Sequence, residues 1–249
     1  MLQKIIASYE KPSTELQKYI KTYWTAYNPT GEAVELPIVP DGSMDIIWLN
    51  GYIFLSGFME EACVISIAPE DRFFGIQFQP YALALLLECN VSEFNNKDVP
   101  LESLNKGLEK EIRAIIESSK HSQHNDAFNH YFKRLFFDKS VDTLLVNTLE
   151  LIHVSHGNTL VSDCAKALEV HPKKLERLFI KNIGVSVKKY SKIIRFLDIH
   201  MVLEEEGLEN LTHKVLDKGY FDQAHFNRDF KKLTGQTPSS KLMSILYNT

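Results

Sequence analysis

The front of the chain is a succession of short apolar runs separated by turn residues. Between Glu32 and Gln79, the β-branched and aromatic residues predict four strands, at 46–49, 52–55, 63–67 and 73–78. The pair Asn50–Gly51 separates the first two runs and predicts a hairpin turn, because both residues tolerate the positive φ that such turns need. This region therefore predicts a small β-sheet.

Beyond Pro80 the apolar residues recur every three or four positions, which is the period of a helix. In the front of the chain this period predicts helices at 81–89, at 104–118 and around Phe128–Phe136. From Lys139 onward it predicts seven helices, at 141–155, 160–169, 172–182, 187–205, 211–218, 223–233 and 238–246. We therefore expect an α+β N-terminal domain over residues 1–138, a small β-sheet plus helices, followed by an all-α domain over residues 139–249.

Charge divides the chain at the same place. The 249 residues carry a net charge of −4, yet residues 1–138 hold 12 basic and 19 acidic side chains, whereas residues 139–249 hold 16 basic and 13 acidic ones. The overall balance argues against a chain that binds polyanions along its whole length, and the split indicates two modules with different partners. These two parts are called the front half and the back half below.

Composition narrows the class of protein further. A hydrophobic content of 44% is typical of a globular chain and not of a disordered one. The three cysteines are far apart and odd in number, which excludes a disulfide framework and predicts a reducing compartment. The longest purely apolar run, Ala82–Leu87, is far shorter than the ~20 residues that a membrane span needs. We expect a soluble cytoplasmic protein with no membrane partner.

The back half contains a two-fold internal repeat. With a shift of 51 residues Arg177 aligns with Arg228, and the Phe and Gly that follow each of them also align. Each copy is a short helix, a turn and a second helix that ends at glycine. Unit 1 runs from Leu160 to Gly184 and unit 2 from Leu211 to Gly235, with one extra residue in the second turn. This is the outline of a helix-turn-helix, whose second helix can enter the DNA major groove.

The polar faces of the two second helices carry side chains of the types that read DNA. Arg can pair with guanine, Asn or Gln with adenine, and Glu can accept from cytosine, while Lys can contact phosphates. The candidate DNA-binding residues are Lys173, Lys174, Glu176, Arg177 and Lys181 in unit 1 and Gln223, His225, Asn227, Arg228, Lys231 and Lys232 in unit 2. For His225, a local hydrogen bond is an equally good interpretation.

Residues from about Thr143 to Leu246 resemble the DNA-binding domain of AraC/XylS-type bacterial transcription regulators, and Gly219–Pro238 carries the family signature. The resemblance implies seven helices, two helix-turn-helix units and a rigid connecting helix, here 187–205. It also implies that the two recognition helices enter successive major grooves on one face of the duplex, about 34 Å apart. Departures from the family pattern at Lys188, Lys214, Val215 and Ala224 bear on fine specificity and not on the fold.

The front half, from about Leu36 to Leu104, resembles the N-terminal domain that accompanies a subset of these regulators. The resemblance rests on the motifs Val39–Ile47, Phe74–Pro80 and Val99–Leu101. The effector of this family is undefined, so the resemblance implies a regulatory domain without naming a ligand.

Two further clusters admit a chemical and a structural interpretation. One cluster consists of His121, His124, Asp126 and His130, whose spacing would suit a metal site. A polar helix start is favoured, because no second pair of ligands lies nearby in the sequence. Asp41 and Asp45 could line a ligand pocket or form an acid–base pair, whereas a turn with its anchor is favoured. The sequence contains none of the common nucleophile, phosphate-loop or dinucleotide motifs. We therefore expect no catalysis, no metal and no cofactor.

These observations lead to the hypothesis of a sequence-specific transcription regulator whose back half binds double-stranded promoter DNA. The front half is expected to sense a small-molecule effector, to form a homodimer, or to do both. RNA polymerase is the protein partner that such a regulator would contact. The alternative is a small-molecule-binding or enzymatic front half to which the back half adds a protein-interaction surface.

Overall fold

The computed structural model describes residues 5–118, 124–235 and 237–238. Its strands are β1 (Ile6–Glu10), β2 (Ile20–Tyr27), β3 (Val34–Ile38), β4 (Met44–Leu49), β5 (Tyr52–Ser56), β6 (Cys63–Ile67), β7 (Arg72–Phe78) and β8 (Asp98–Pro100). Six of them form an antiparallel sheet in the order β1-β2-β7-β4-β5-β8, and β3 pairs with β6 in a second, two-stranded sheet. The four strands predicted from apolar runs are confirmed as β4, β5, β6 and β7, and the Asn50–Gly51 turn joins the first two.

Helices cover one face of the large sheet. The front half has α1 (Ala82–Leu87), α2 (Leu101–Leu104), α3 (Lys106–Ser118) and α4 (His124–Leu135). The helix predicted at 104–118 begins after Asn105, whose side-chain oxygen accepts from the backbone N–H of Leu108 at 3.0 Å. Phe128 of α4 stacks on Phe74 of β7 with ring centroids 5.0 Å apart, so α4 and the sheet share one aromatic core.

The back half is helical throughout its described length. Its helices are α5 (Thr143–Val154), α6 (Val161–Ala167), α7 (Pro172–Asn182), α8 (Val187–Glu206), α9 (Leu211–Asp217) and α10 (Gln223–Thr234). Six of the seven predicted helices are therefore confirmed, and the seventh, at 238–246, lies outside the described residues except for Pro238. The predicted order, an α+β N-terminal part followed by an all-α part, is confirmed.

One hydrophobic core runs through both halves. It extends without interruption from Leu16, beside the large sheet, to Leu233 in α10, while a small separate cluster under the two-stranded sheet contains Ile5, Val34 and Ile67. Burial of apolar surface on this scale supplies most of the favourable free energy of folding. No helix in the described part of the chain is long and apolar enough to cross a membrane.

Candidate DNA-binding surface

Unit 1 is built on a small apolar centre. Cys164 and Ala165 of α6 and Leu175 and Phe179 of α7 are all fully buried. Helix α7 begins at Pro172, where a missing N–H does no harm, and the ring Nδ1 of His171 accepts from the N–H of Lys173 at 3.1 Å. The small residues let α6 approach α7 closely, which fixes the direction in which α7 presents its polar face.

Unit 2 repeats this arrangement with aromatic side chains. Phe226 and Phe230 of α10 are fully buried and pack against each other with ring centroids 5.3 Å apart. The carboxylate of Asp222 accepts from the N–H of His225 at 2.6 Å and caps α10. Thr212 at the start of α9 donates its hydroxyl to the side-chain oxygen of Gln223 at 2.8 Å, so the beginnings of the two helices are tied together.

Helix α8 joins the two units and contacts each of them. The guanidinium of Arg195 lies over the ring of Tyr220 at 4.9 Å and donates to the carbonyl of Gly219 at 3.4 Å, in the turn of unit 2. The buried carboxylate of Asp198 contacts His156, before unit 1, at 2.6 Å and Lys218, in unit 2, at 2.7 Å. These contacts fix α8 to unit 2 and join it to His156, ahead of unit 1.

Most of the candidate residues in unit 1 lie on the exposed face of α7, and one does not. Lys173, Lys174, Arg177 and Lys181 are exposed and point away from the apolar centre. Glu176 is half-buried, and its carboxylate accepts from the N–H of Val187 at 3.3 Å, at the first residue of α8. The helical wheel predicted an exposed Glu176, but the start of α8 lies within its reach.

In unit 2 the exposed candidates are Arg228, Lys231 and Lys232, while Gln223, His225 and Asn227 are half-buried. The Nδ1 atom of His225 accepts from the N–H of Phe221 at 3.4 Å, and its Nε2 atom lies 3.5 Å from Asp229. The local interpretation of His225 is therefore the one that the geometry favours. Sequence reasoning did not select Thr212 or Asp198, whose contacts orient the candidate surface without belonging to it.

Comparison with known proteins supports this arrangement. Residues 9–100 match a family described as a domain of unknown function (DUF6597), and residues 164–242 match a helix-turn-helix domain family. Over 102 residues the chain is 29% identical to the Msm operon regulatory protein of Streptococcus mutans. This aligned segment makes up 40% of this chain and 36% of that protein. Over 87 residues the chain is 29% identical to the Arabinose operon regulatory protein of Escherichia coli. This aligned segment makes up 35% of this chain and 30% of that protein. Residues 164–242 are called the AraC-type domain below, after their resemblance to AraC/XylS-type regulators.

The chain spans about a third of the length of each of these two relatives. Among solved structures, the whole chain is similar to ToxT from Vibrio cholerae at 13% identity and a TM-score of 0.43, with 99% of this chain and 100% of that chain covered. It is also similar to unsaturated fatty acid bound ToxT from Vibrio cholerae at 12% identity and a TM-score of 0.44, with 98% and 96% covered.

The front half contacts the AraC-type domain at the turn between α7 and α8. The side-chain amide of Asn95 donates to the carbonyl of Gly184 at 2.8 Å, and Lys189 forms an ion pair with Glu60. One step further along α8, the buried ring of Tyr190 lies over Gly42, where an added Cβ would be 3.4 Å from a ring carbon. The front half therefore contacts the AraC-type domain directly after α7, at the turn that leads into α8.

Asp41 precedes Gly42 in this contact region, and Asp45 lies three residues beyond Gly42. The N–H of Ser43 donates to Asp41 at 2.9 Å, as expected for a turn, and Gln77 donates to the other Asp41 oxygen at 2.5 Å. The indole N–H of Trp24 donates to Asp45 at 2.9 Å. Both carboxyl groups thus have structural partners, in agreement with the interpretation of a turn and its anchor.

Burial perturbs the ionisable groups of this contact region. Burial, together with the charge of Asp41, raises the pKa of Asp45 to about 8, against the opposing effects of Trp24 and Lys21. Burial and the charge of Asp41 also raise the pKa of Tyr190, whose hydroxyl lies 3.2 Å from the Nε2 atom of His153. Burial and the nearby Lys21 lower the pKa of His153. The raised pKa favours the protonated form of Asp45 in the folded protein.

The histidine cluster places one of its members in the core. His124 is buried at the start of α4 and meets the ring of Phe74 edge-on, with centroids 5.8 Å apart. His121 lies outside the described residues. Across the residues that the structure describes, no group of three or more His, Cys, Asp or Glu side chains is placed to hold a metal ion.

Proposed function

We propose that this protein is a sequence-specific DNA-binding transcription regulator in which residues 139–249 bind double-stranded promoter DNA. The observation that carries the proposal is the pairing of two helix-turn-helix units on one connecting helix, each with exposed basic side chains on its second helix. Arg177 and Arg228 occupy equivalent positions in the two units. Two equivalent arginines, one on the second helix of each unit, suit readout of two successive major grooves.

The two kinds of side chain on this surface have different proposed tasks. Arg177 and Arg228 are proposed to read bases, with Gln223 and Asn227 as further candidates in unit 2. The exposed lysines are proposed to contact phosphates: Lys173, Lys174, Lys181, Lys231 and Lys232. Phosphate contacts supply affinity that falls steeply as salt rises, whereas base contacts select the sequence. Because Glu176 already accepts from Val187, we assign it to positioning α8 and not to base reading.

Residues 1–138 are proposed to regulate this activity by binding a small-molecule effector, by homodimerisation, or by both. The contacts at Gly184, Lys189 and Tyr190 support the proposal, because they join the front half to the turn that follows the first recognition helix. An effector can regulate only by binding unequally to two arrangements of the chain. The protein is proposed to act in the cytoplasm and to contact RNA polymerase when bound at a promoter.

Selection from a random-sequence DNA pool with the full chain tests the proposed function. We expect enrichment of a motif with two half-sites about one helical turn apart. Arg177→Ala and Arg228→Ala should each weaken binding by about 1–3 kcal/mol and relax selection in one half-site only. Arg72→Ala, which removes an exposed arginine of β7 in the front half, is the matched control and should leave binding unchanged. Absence of an enriched motif, or its retention by the Arg177→Ala/Arg228→Ala double variant, contradicts the proposal.

Oligomeric state is tested separately. Light scattering on the full chain, alone and with the selected DNA, distinguishes a monomer from a homodimer. A dimer that forms without DNA supports dimerisation through the front half, whereas a monomer under both conditions contradicts it.

A further inference from the structure

An aromatic side chain is exposed to solvent in the turn that precedes α10, the second helix of unit 2. Phe221 is 85% exposed and lies in the turn between α9 and α10, two residues before α10 begins at Gln223. Its neighbour Tyr220, by contrast, is buried in the core of unit 2. The N-terminal end of a recognition helix is the part that contacts base edges in helix-turn-helix proteins. Among the described residues, no side chain buries this large apolar group.

Phe221 is the residue by which the two turns differ. In unit 1 the N–H of Val170 donates to the carbonyl of Ala165 at 2.9 Å, and in unit 2 the N–H of Tyr220 donates to that of Val215 at 3.0 Å, a shift of 50 residues. The caps of the two recognition helices, His171 and Asp222, are related by a shift of 51. The additional residue therefore falls between Tyr220 and Asp222, which makes Phe221 an insertion that unit 1 lacks.

The backbone around Phe221 is held in place although its side chain is free. Arg195 donates to the carbonyl of Gly219 and lies over the ring of Tyr220, and the N–H of Phe221 itself donates to His225. Asp222 is fixed as the helix cap. A side chain presented by a rigid turn loses little conformational entropy when it binds, because only its own rotamers are restricted.

We propose that Phe221 contacts DNA in the half-site of unit 2, against the 5-methyl group of a thymine, and so determines specificity at that position. The inference rests on the proposed DNA-binding function. Phenylalanine has no hydrogen-bonding group, so the base feature that it can recognise in the major groove is the apolar methyl of thymine. Unit 1 has no counterpart of Phe221, and the thymine requirement is confined to the half-site of unit 2.

Replacement of thymine by deoxyuridine in the selected duplex tests the proposal with the full-length protein. Deoxyuridine lacks only the 5-methyl group. At one thymine in the half-site of unit 2, the replacement should weaken binding of the wild-type protein about fourfold, as expected for one buried methyl group. The Phe221→Ala variant should bind the unmodified duplex about tenfold more weakly and be insensitive to the replacement. Phe221→Leu should retain part of the sensitivity.

Phe137→Ala is the matched control, because Phe137 is a phenylalanine of the front half that is 84% exposed. It should leave both the affinity and the deoxyuridine effect unchanged. If Phe221→Ala binds the selected duplex as the wild-type protein does, or keeps the same deoxyuridine sensitivity, the side chain serves another partner and the inference fails alone. If the wild-type protein selects no sequence, the proposed function fails, and the inference fails with it.

Discussion

Asp45 provides a direct test of how burial in the front half shifts the ionisation of a carboxyl group. Because its pKa is raised in the folded protein, the folded chain keeps a proton that an unfolded aspartate releases near pH 4. The folded state therefore binds more protons than the unfolded state between about pH 4 and pH 8. Over that interval the free energy of unfolding must fall as the pH rises, and the full stabilisation is present only below the unfolded pKa.

The size of the effect follows from one proton. Each pH unit within the interval lowers the free energy of unfolding by up to about 1.4 kcal/mol, so the loss between about pH 5 and pH 7 approaches roughly 2.7 kcal/mol. Asp45→Asn resembles the protonated carboxyl in shape and can still accept from Trp24, but it has no proton to release. The variant should match the wild-type protein near pH 4 and exceed its stability progressively above that pH.

Urea unfolding at a series of pH values measures the effect, with tryptophan fluorescence as the signal because Trp24 contacts the substituted group. Asp138→Asn, which changes an exposed aspartate of the front half, is the control and should retain the wild-type slope. Equal pH slopes for wild-type and Asp45→Asn proteins would refute the reasoning, since the carboxyl would then ionise alike in the folded and unfolded chains.

Two further substitutions probe how the AraC-type domain is held. Gly184→Ala places a Cβ on a backbone with φ +93°, 2.6 Å from the side-chain oxygen of Asn95. Urea unfolding should therefore show that the free energy of unfolding falls by about 2 kcal/mol or more. An unchanged urea midpoint would contradict the close contact. Asp198→Ala removes the carboxylate shared by His156 and Lys218 and should weaken binding to a duplex with both half-sites by roughly 1 kcal/mol. Its binding to a single half-site is the control, and an equal loss there would show that the units are damaged individually.

The strands that apolar patterning predicted are those with dense β-branched or aromatic runs. β2 escaped prediction because its register shifts between Ile20 and Thr22, which interrupts the alternation of buried and exposed positions on which such a prediction depends. β1 is an edge strand whose positions are nearly all exposed, so it has no apolar face to detect. Both strands are defined by pairing with a neighbouring strand, β1 with β2 and β2 also with the distant β7.

The candidate surface was predictable to the extent that a helical wheel describes it. Arg177 and Arg228 lie opposite the buried phenylalanines, and both are exposed as the repeat predicts. Glu176 lies at the margin of the apolar arc, where exposure depends on whether another helix passes nearby, and α8 does. The carboxylate of Asp198 contacts both His156 and Lys218, which lie more than 60 positions apart. A pattern confined to neighbouring residues cannot predict such a contact. Local periodicity thus identifies the faces, and tertiary contacts decide which polar groups remain free.

The position of the front half has a consequence for how the two recognition helices are set relative to each other. Its contacts to the AraC-type domain at Gly184, Lys189 and Tyr190 lie within seven residues, at the end of unit 1 and the start of α8. Arg177 stays exposed while these contacts are made. A movement of the front half would therefore act on the turn after α7 and on the start of α8. Because Asp198 and Arg195 fix α8 to unit 2, a displacement of α8 would carry unit 2 with it, change the position of α10 relative to α7 and leave the surface of each helix intact.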